Sequence, residues 1–203
     1  MYRALLFAVI GYLSGSLLFA RYFTRFFSGH DVVAESSDSN PGTFNAFKHG
    51  GFMCGTLTLS CDLLKAFLPV YIYRRGNIGS TDIWLSLVIA APVIGHILPL
   101  YHHFRGGKGI AASFGVMLGL FPEMRPAIVL AIAYLLFSCL IIVNPHYYRT
   151  LISYTLAICA LATLSLPSSI LIGTITVSIA VIIKHLASAE VKEKLEVRPV
   201  WRH

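Results

Sequence analysis

The chain has 203 residues, of which 56% are hydrophobic and 12% are charged, and its mean hydropathy is +0.73. These values exclude an ordinary soluble domain, whose composition is far more polar. The net charge of +7 does not indicate nucleic-acid binding, because lysine and arginine lie at the ends of apolar runs rather than on one polar face.

Seven apolar segments predict a polytopic bundle of membrane helices. They cover residues 4–22, 51–72, 82–103, 110–121, 126–143, 149–165 and 168–186. Because a helix needs about 20 residues to cross the apolar core of a bilayer, the short fourth segment is also compatible with a half-helix or a re-entrant piece. We predict an all-α transmembrane bundle of about seven segments, folded as a single integral-membrane domain over residues 1–203.

The basic residues predict the orientation of this bundle. With the N-terminus outside and the first apolar run kept as a helix, eleven of them face the cytoplasm: Arg21, Arg25, Lys48, Arg105, Lys108, Arg149, Lys184, Lys192, Lys194, Arg198 and Arg202. Four face the outside: Arg3, Arg74, Arg75 and Arg125. Since cytoplasmic loops carry an excess of lysine and arginine, we expect the C-terminus in the cytoplasm.

The cysteines and histidines indicate neither disulfides nor a metal site. The four cysteines lie inside apolar segments without CxxC spacing. His102 and His103 are adjacent and cannot point the same way from a helix, and no carboxylate lies close in sequence to complete a site with His96. We therefore expect no metal and no cofactor.

The longest polar segment runs from Ser28 to Gly50 and precedes the second apolar segment. Within it, residues 36–51 concentrate serine, asparagine, aspartate and glycine immediately before a helix. Free N–H groups at helix N-termini and in glycine-rich turns suit phosphate. A plain turn capped by the same residue types is the other interpretation, and the spacing alone leaves both open.

A second loop, residues 95–111, carries three glycines around a lysine. Gly106, Gly107 and Gly109 let the backbone approach an anion closely, and Lys108 supplies a compact positive charge beside it. The spacing of a Walker A loop is absent, which disfavours nucleotide hydrolysis. A flexible loop of the positive-inside kind is the alternative interpretation.

Two further patterns place titratable residues in the apolar segments. Asp62 and Lys65 lie one helical turn apart, so each can neutralise the other. We expect a structural ion pair, with a direct catalytic role as the alternative. His185 closes the last segment with Ser188 one turn beyond it, where this histidine can serve as an acid or base or simply be solvated.

Three motifs together resemble the bacterial acyl-phosphate:glycerol-3-phosphate acyltransferases, the small integral-membrane family called PlsY. The family pattern GSGNxGATNxxR is similar to residues 37–48, and DxxKG is similar to residues 62–66. The pattern GHxFPxFxxFxGGKGVAT is similar to residues 95–113, and this match is the most specific. The resemblance extends over nearly the whole chain, from Gly15 to His185.

The resemblance implies a reaction and a set of site residues. It implies transfer of a fatty acyl group from acyl phosphate to the 1-hydroxyl of glycerol 3-phosphate, giving lysophosphatidic acid for phospholipid biosynthesis at the bacterial inner membrane. It implies catalytic positions at Lys108, His185 and Asp38. It implies substrate-binding positions at Ser37, Ser39, Asn40, Gly42, Thr43, Asn45, Lys48, His96, Gly106, Gly107, Gly109 and Ser188. These loops are expected to face the cytoplasm.

The departures from the family pattern fall mainly in the first loop. Where the family has Ser, Gly, Thr and Arg, this chain has Asp38, Ser39, Phe44 and Lys48. Phe44 lacks a hydroxyl donor, Lys48 gives up bidentate geometry, and an aspartate beside an anion site is unfavourable unless it is paired. A paralogue with the same fold and an altered substrate, or lost activity, is therefore one alternative function. A small-solute transporter is another, but it needs a continuous polar path, and the polar residues concentrate on one side.

No Ser/His/Asp order and no HxxxxD box is present, so a covalent acyl-enzyme is not expected. We expect direct attack by the substrate hydroxyl, with the departing phosphate taking the proton and Lys108 stabilising the charge. His185 is the alternative base. This mechanism requires the turns at residues 40–45 and 106–109 to form one pocket.

Overall fold

The computed structural model describes residues 1–76, 82–188 and 194–201, and their fold is mainly helical. The helices are α1 Tyr2–Gly15, α2 Phe19–Ser28, α3 Val32–Glu35, α4 Thr43–Arg75, α5 Leu85–Ile97, α6 Ile110–Leu118, α7 Arg125–Leu135, α8 His146–Thr163 and α9 Ser168–Leu186. A 3-10 turn covers Leu100–His102 and a π-helical turn covers Leu136–Leu140. Strands β1 Ile141–Asn144 and β2 Glu196–Pro199 form a small antiparallel sheet.

Four helical stretches in the described part are long and apolar enough to cross a membrane. They are Tyr2–Ser28, Thr43–Arg75, Leu85–His102 and Ser168–Leu186. The predicted fourth segment corresponds to α6, which has only 9 residues and is too short to cross a bilayer alone. The half-helix interpretation fits this segment, and the total of seven crossings stays a prediction.

The first apolar run is a broken helix rather than the single helix predicted over residues 4–22. α1 ends at Gly15, and α2 begins at Phe19. A hydrogen bond from a distant residue satisfies one backbone group at the break: the Lys65 ammonium donates to the Leu17 carbonyl. The Ser16 hydroxyl also accepts the Leu100 amide at 3.2 Å. An interrupted membrane helix is tolerated where neighbouring elements supply such partners.

The predicted start of the second segment at residue 51 coincides with a kink in α4. Gly51 has φ +81°, a left-handed conformation that side-chain-bearing residues rarely adopt. The kink turns the first helical residues, Thr43 to Gly50, away from the long axis that follows. It thereby lets the first loop fold back over the helix end.

The prediction of a helix over residues 126–143 is wrong at its C-terminal end. The chain leaves the helix after Leu140, and β1 pairs with β2, with Ile141 opposite Pro199 and Asn144 opposite Glu196. Ile141, Ile142 and Val143 are β-branched and favour an extended backbone once a partner strand is available. Their hydrophobicity alone does not separate a strand from a membrane helix.

α1 and α5 pack with their backbones in close approach. A Cβ placed on Gly15 would lie 2.1 Å from the Pro92 carbonyl oxygen, and one on Gly95 would lie 2.2 Å from the Tyr12 carbonyl oxygen. Helices in an apolar solvent associate through such small-residue contacts, because no hydrophobic force drives them together. This packing fixes the position of His96, the residue after Gly95.

Candidate active site

A cavity of about 810 Å³ opens where the first loop, the kinked start of α4, α5, α6 and the start of α8 meet. Its polar lining comes from Ser37, Asp38, Asn40, Gly42, Thr43, Asn45, Lys48, Asp62, His96, Lys108, Gly109 and His146. The rest of the lining comes from Phe44, Leu59, Leu63, Ile110, Ala111, Phe114, Leu118 and Pro145. Most of the predicted site residues therefore share one enclosure.

An ion pair joins the two predicted loops inside this cavity. The Lys108 ammonium donates to Asp38 Oδ2 at 2.8 Å, with only 9% and 13% of the two side chains exposed. The loops thus meet although these residues are 70 positions apart in sequence. Because the Asp38 carboxylate is paired with Lys108, its negative charge is compensated beside the predicted anion site.

Asp38 also organises the first loop around itself. Asp38 Oδ1 accepts hydrogen bonds from Asn45 Nδ2 at 2.8 Å and from the Asn40 amide at 3.3 Å. Burial alone raises the pKa of Asp38. The hydrogen bond and charge of Lys108, together with the hydrogen bonds from Asn45 and Asn40, lower this pKa by more than burial raises it. The resulting pKa lies below the ordinary value for aspartate, so the carboxylate is ionised at neutral pH.

The glycines of the second loop have a packing role in this structure. A Cβ on Gly106 would lie 2.0 Å from the His96 carbonyl oxygen, and one on Gly107 would lie 2.3 Å from His96 Nε2. Gly109 has φ +84° and begins α6 as its N-cap. Of these three predicted substrate-binding positions, only Gly109 lines the cavity. Gly106 and Gly107 instead let the loop close over His96 and so place Lys108.

Asp62 and Lys65 form the predicted ion pair at the floor of the cavity. Lys65 Nζ lies 2.6 Å from Asp62 Oδ1, and 4% and 1% of the lysine and aspartate side chains are exposed. Lys65 Nζ also lies 2.9 Å from His96 Nδ1. The pair therefore connects α4 with α5, and through Leu17 it connects both with the break between α1 and α2.

One side of the cavity is apolar. Ile110, Phe114 and Leu118 are spaced four residues apart on α6 and share one face, and Leu59 and Leu63 have the same spacing on α4. The two stripes line the cavity together. The result is an apolar slot that begins next to Lys108 and runs along α6, suited to a hydrocarbon chain.

Two departures of the first loop are visible at the cavity mouth. The Phe44 ring stacks on the His146 ring, with centroids 6.4 Å apart and planes 16° apart. Lys48 lines the cavity but is exposed to its opening. Among the described residues, the buried Thr43 Oγ1 and Asn40 Oδ1 have no hydrogen-bond partner, and both residues line the cavity.

His185, Ser188 and Ser39 are not among the described residues that line the cavity. The His185 ring is fully buried, and its Nδ1 lies 3.0 Å from the Val181 carbonyl oxygen. Ser188 Oγ donates to the His185 carbonyl at 2.7 Å. Its role as a base and the binding role of Ser188 stay predictions.

The sequence predicts an apolar slot formed by the membrane helices, but it does not identify the residues of the slot, and it does not indicate a role for His146. Pro145 and His146 stand at the start of α8, and their place beside Phe44 depends on a contact across 102 positions that no local pattern shows. The spacing of Ile110, Phe114 and Leu118 indicates one face of a helix. This spacing does not indicate whether that face lines a cavity or contacts lipid.

Comparisons with known proteins decide the family. A family profile described as Glycerol-3-phosphate acyltransferase matches residues 5–191. The chain belongs to the glycerol-3-phosphate acyltransferase family. Relatives named glycerol-3-phosphate acyltransferase from Pseudomonas paraeruginosa and Azotobacter vinelandii are each 43% identical over 129 residues. These matches cover 63% of this chain, and the chain spans 65% of the length of each relative.

The fold of the glycerol-3-phosphate acyltransferase family is also found over most of this chain. The crystal structure of PlsY, an integral membrane glycerol 3-phosphate acyltransferase in its glycerol 3-phosphate form, is similar with a TM-score of 0.78 and 26% identity. The match covers 90% of this chain and 88% of that one. The resemblance to the PlsY family, drawn from three motifs, is therefore confirmed. The chain is a multi-pass membrane protein.

Proposed function

We propose that this chain is a glycerol-3-phosphate acyltransferase that takes its acyl group from acyl phosphate. One observation carries the proposal: a single cavity is lined both by Lys108 and the first loop and by the apolar residues of α4 and α6. A substrate with an anionic head and a hydrocarbon tail fits such an enclosure. The names of the family and of the relatives support glycerol 3-phosphate as the acceptor. The chemistry of the cavity supports acyl phosphate as the donor.

The proposed reaction needs no covalent enzyme intermediate. The 1-hydroxyl oxygen of glycerol 3-phosphate attacks the acyl carbon, forming an ester bond, and the bond from that carbon to the phosphate oxygen breaks. Inorganic phosphate leaves and takes the hydroxyl proton. Lys108 stabilises the negative charge on the leaving group, and the loops hold the two substrates in line. The predicted substrate-binding residues of the first loop, with Lys48, hold the acceptor phosphate.

The Asp38–Lys108 ion pair sets a condition on this reaction. Lys108 already donates to a carboxylate, so a phosphoryl group has to displace Asp38 or share the ammonium with it. This observation favours a second candidate function, in which the same fold transfers an acyl group to or from a substrate without that phosphate. The two candidates differ in which substrates the purified protein accepts.

The proposed setting is the bacterial inner membrane, with the N-terminus outside and the C-terminus in the cytoplasm. The excess of basic residues assigned to the cytoplasmic side supports this orientation. Both cavity loops belong to that side, where the water-soluble acceptor is available. The residues 1–203 are proposed to act as one domain.

A substrate matrix tests the proposal. Purified protein in detergent receives acyl phosphate, acyl carrier protein thioester or acyl coenzyme A, each with glycerol 3-phosphate or with glycerol. We expect lysophosphatidic acid from acyl phosphate and glycerol 3-phosphate only. Transfer from a thioester alone would refute the donor, and transfer to glycerol in preference to its phosphate would favour the second candidate.

Lys108→Ala and Arg105→Ala form the matched pair of variants. Lys108 lines the cavity, whereas Arg105 is an exposed cation three residues away in the same loop. Loss of a group that stabilises developing charge lowers turnover by about 10²–10³-fold. We expect that loss for Lys108→Ala and near-normal turnover for Arg105→Ala. Retention of most activity by Lys108→Ala would remove Lys108 from the mechanism.

A further inference from the structure

The buried Lys65 ammonium lies against three acceptor atoms. It donates to the Leu17 carbonyl, it lies 2.6 Å from Asp62 Oδ1, and it lies 2.9 Å from His96 Nδ1. A protonated lysine has three N–H donors and no acceptor. Asp62 forms an ion pair with this ammonium, and the Leu17 carbonyl and His96 Nδ1 accept hydrogen bonds from it.

This arrangement fixes the proton of His96 on one nitrogen. Because Lys65 can only donate, His96 Nδ1 has to accept, and a neutral imidazole that accepts at Nδ1 carries its hydrogen at Nε2. Protonation of both nitrogens is unfavourable here, since it would set an N–H against the ammonium at 2.9 Å. The carboxylate of Asp62 does not relieve that contact, because Asp62 Oδ1 is 3.9 Å from Nδ1.

His96 Nε2 lies at the second loop. A Cβ on Gly107 would lie 2.3 Å from this nitrogen, so the ring meets the loop directly before Lys108. The Gly107 amide in turn donates to the His96 carbonyl at 3.1 Å. His96 is only 3% exposed, yet it lines the cavity together with Lys108. Ring and loop thus hold each other in place at the cavity wall.

We infer that His96 presents a fixed Nε2–H donor to a negatively charged oxygen of the substrate beside Lys108, with Lys65 and Asp62 as positioning residues. This inference rests on the proposed function for the identity of the substrate. A neutral donor next to a lysine stabilises charge that develops on a carbonyl or phosphoryl oxygen without adding a further buried cation. The orientation is set before the substrate arrives, so little reorganisation accompanies the reaction.

The first test reads the tautomer directly and needs no turnover. Long-range ¹H–¹⁵N correlation spectra of the wild-type protein in micelles distinguish Nε2–H, Nδ1–H and doubly protonated rings. The His96 signal is assigned by its loss in His96→Asn and His96→Gln. We expect the Nε2–H pattern at neutral pH. A pattern of Nδ1–H or of imidazolium would overturn the inference whatever the enzyme's reaction.

The second test separates a donor from a merely structural residue. The asparagine amide of His96→Asn sits near the Nδ1 position, where its oxygen can still accept from Lys65, but it gives no donor at Nε2. The glutamine amide of His96→Gln reaches the Nε2 position. We expect about 10²–10³-fold lower kcat/KM for His96→Asn and a smaller loss for His96→Gln. The reverse order would show that His96 only supports Lys65.

Steady-state kinetics and phosphate titration together identify the substrate oxygen that accepts from His96. Phosphate titration tests the inference even if the protein catalyses no acyl transfer. If His96→Asn lowers only kcat, the Nε2–H group donates to the acyl carbonyl oxygen. If His96→Asn raises the KM, the group donates to a phosphoryl oxygen. Titration with inorganic phosphate measures binding affinity and requires no acyl transfer. We expect His96→Asn to bind phosphate about tenfold more weakly than the wild type. Unchanged phosphate affinity together with unchanged kcat would overturn the inference. His103→Asn, at an exposed residue with φ +51° that asparagine tolerates, is the control.

Discussion

Replacing Asp38 by asparagine should strengthen the binding of a phosphoryl group in the cavity. The wild-type carboxylate accepts the Lys108 ammonium at 2.8 Å, so a phosphate oxygen has to compete with it. Asparagine keeps the size of the side chain and an oxygen for the Asn45 and Asn40 donors, but it carries no charge. Lys108 then gains more from a phosphoryl group than it does in the wild type.

The size of the effect follows from the contact that is displaced. A hydrogen bond to a charged group contributes about 1.5–3 kcal/mol, and both side chains are mostly buried, with 9% and 13% exposed. Since 1.4 kcal/mol corresponds to tenfold in affinity, Asp38→Asn should bind phosphate about 10–100-fold more tightly. Without phosphate, the variant should be less stable, because Lys108 loses its counter-ion.

Calorimetric titration of the purified protein in detergent with inorganic phosphate and with glycerol 3-phosphate measures this change. Thermal unfolding with and without phosphate measures the second effect, and phosphate should raise the Tm of Asp38→Asn more than that of the wild type. Glu35→Gln removes a negative charge from the same loop at a residue outside the cavity lining and serves as the control. Equal or weaker phosphate binding by Asp38→Asn would refute the competition between carboxylate and phosphate.

Three further predictions concern the slot, the helix packing and pH. Leu118→Trp, at the last slot residue along α6, should shift the preference of the enzyme to shorter acyl chains, as measured with acyl phosphates of graded length. An unchanged preference would show that the acyl chain binds elsewhere. Gly15→Ala should lower the Tm, because its Cβ would lie 2.1 Å from the Pro92 carbonyl oxygen. Ile10→Ala, at an exposed residue of the same helix, should change the Tm little. Equal effects would contradict the close α1–α5 packing. The pKa of Asp38 is lowered in the folded protein, so its contribution to stability is present above about pH 4 and is lost as pH falls through the lowered pKa. The difference in unfolding free energy between wild type and Asp38→Asn should therefore stay constant from pH 8 to pH 5 or so and shrink only below; a step near pH 6 would contradict the assignment.

The sequence predicts those features that depend on local composition. The apolar segments, the short fourth segment at α6 and the two polar loops are each defined by residues that are close in sequence, so hydropathy and glycine spacing are enough to find them. The ion pair of Asp62 and Lys65 is of the same kind, because the helical repeat alone places the two residues on one face.

Other features depend on partners that are distant in the chain. At the break between α1 and α2, the Leu17 carbonyl accepts from the Lys65 ammonium, 48 positions away. Local hydropathy does not show that contact, and it therefore predicts a continuous helix. Strand β1 requires β2, which lies more than 50 positions further on. The contact of Asp38 with Lys108 requires both loops to fold. Hydropathy contains no information on such pairings.

Coupled product formation is the most direct measurement of the proposed function. Purified wild-type protein and Lys108→Ala receive acyl phosphate with and without glycerol 3-phosphate, and inorganic phosphate and lysophosphatidic acid are quantified together. The proposed reaction predicts equal amounts of the two products from the wild type, none without the acceptor, and about 10²–10³-fold slower formation by Lys108→Ala. Phosphate release that does not depend on glycerol 3-phosphate, or lysophosphatidic acid formed as fast by Lys108→Ala as by the wild type, would contradict it.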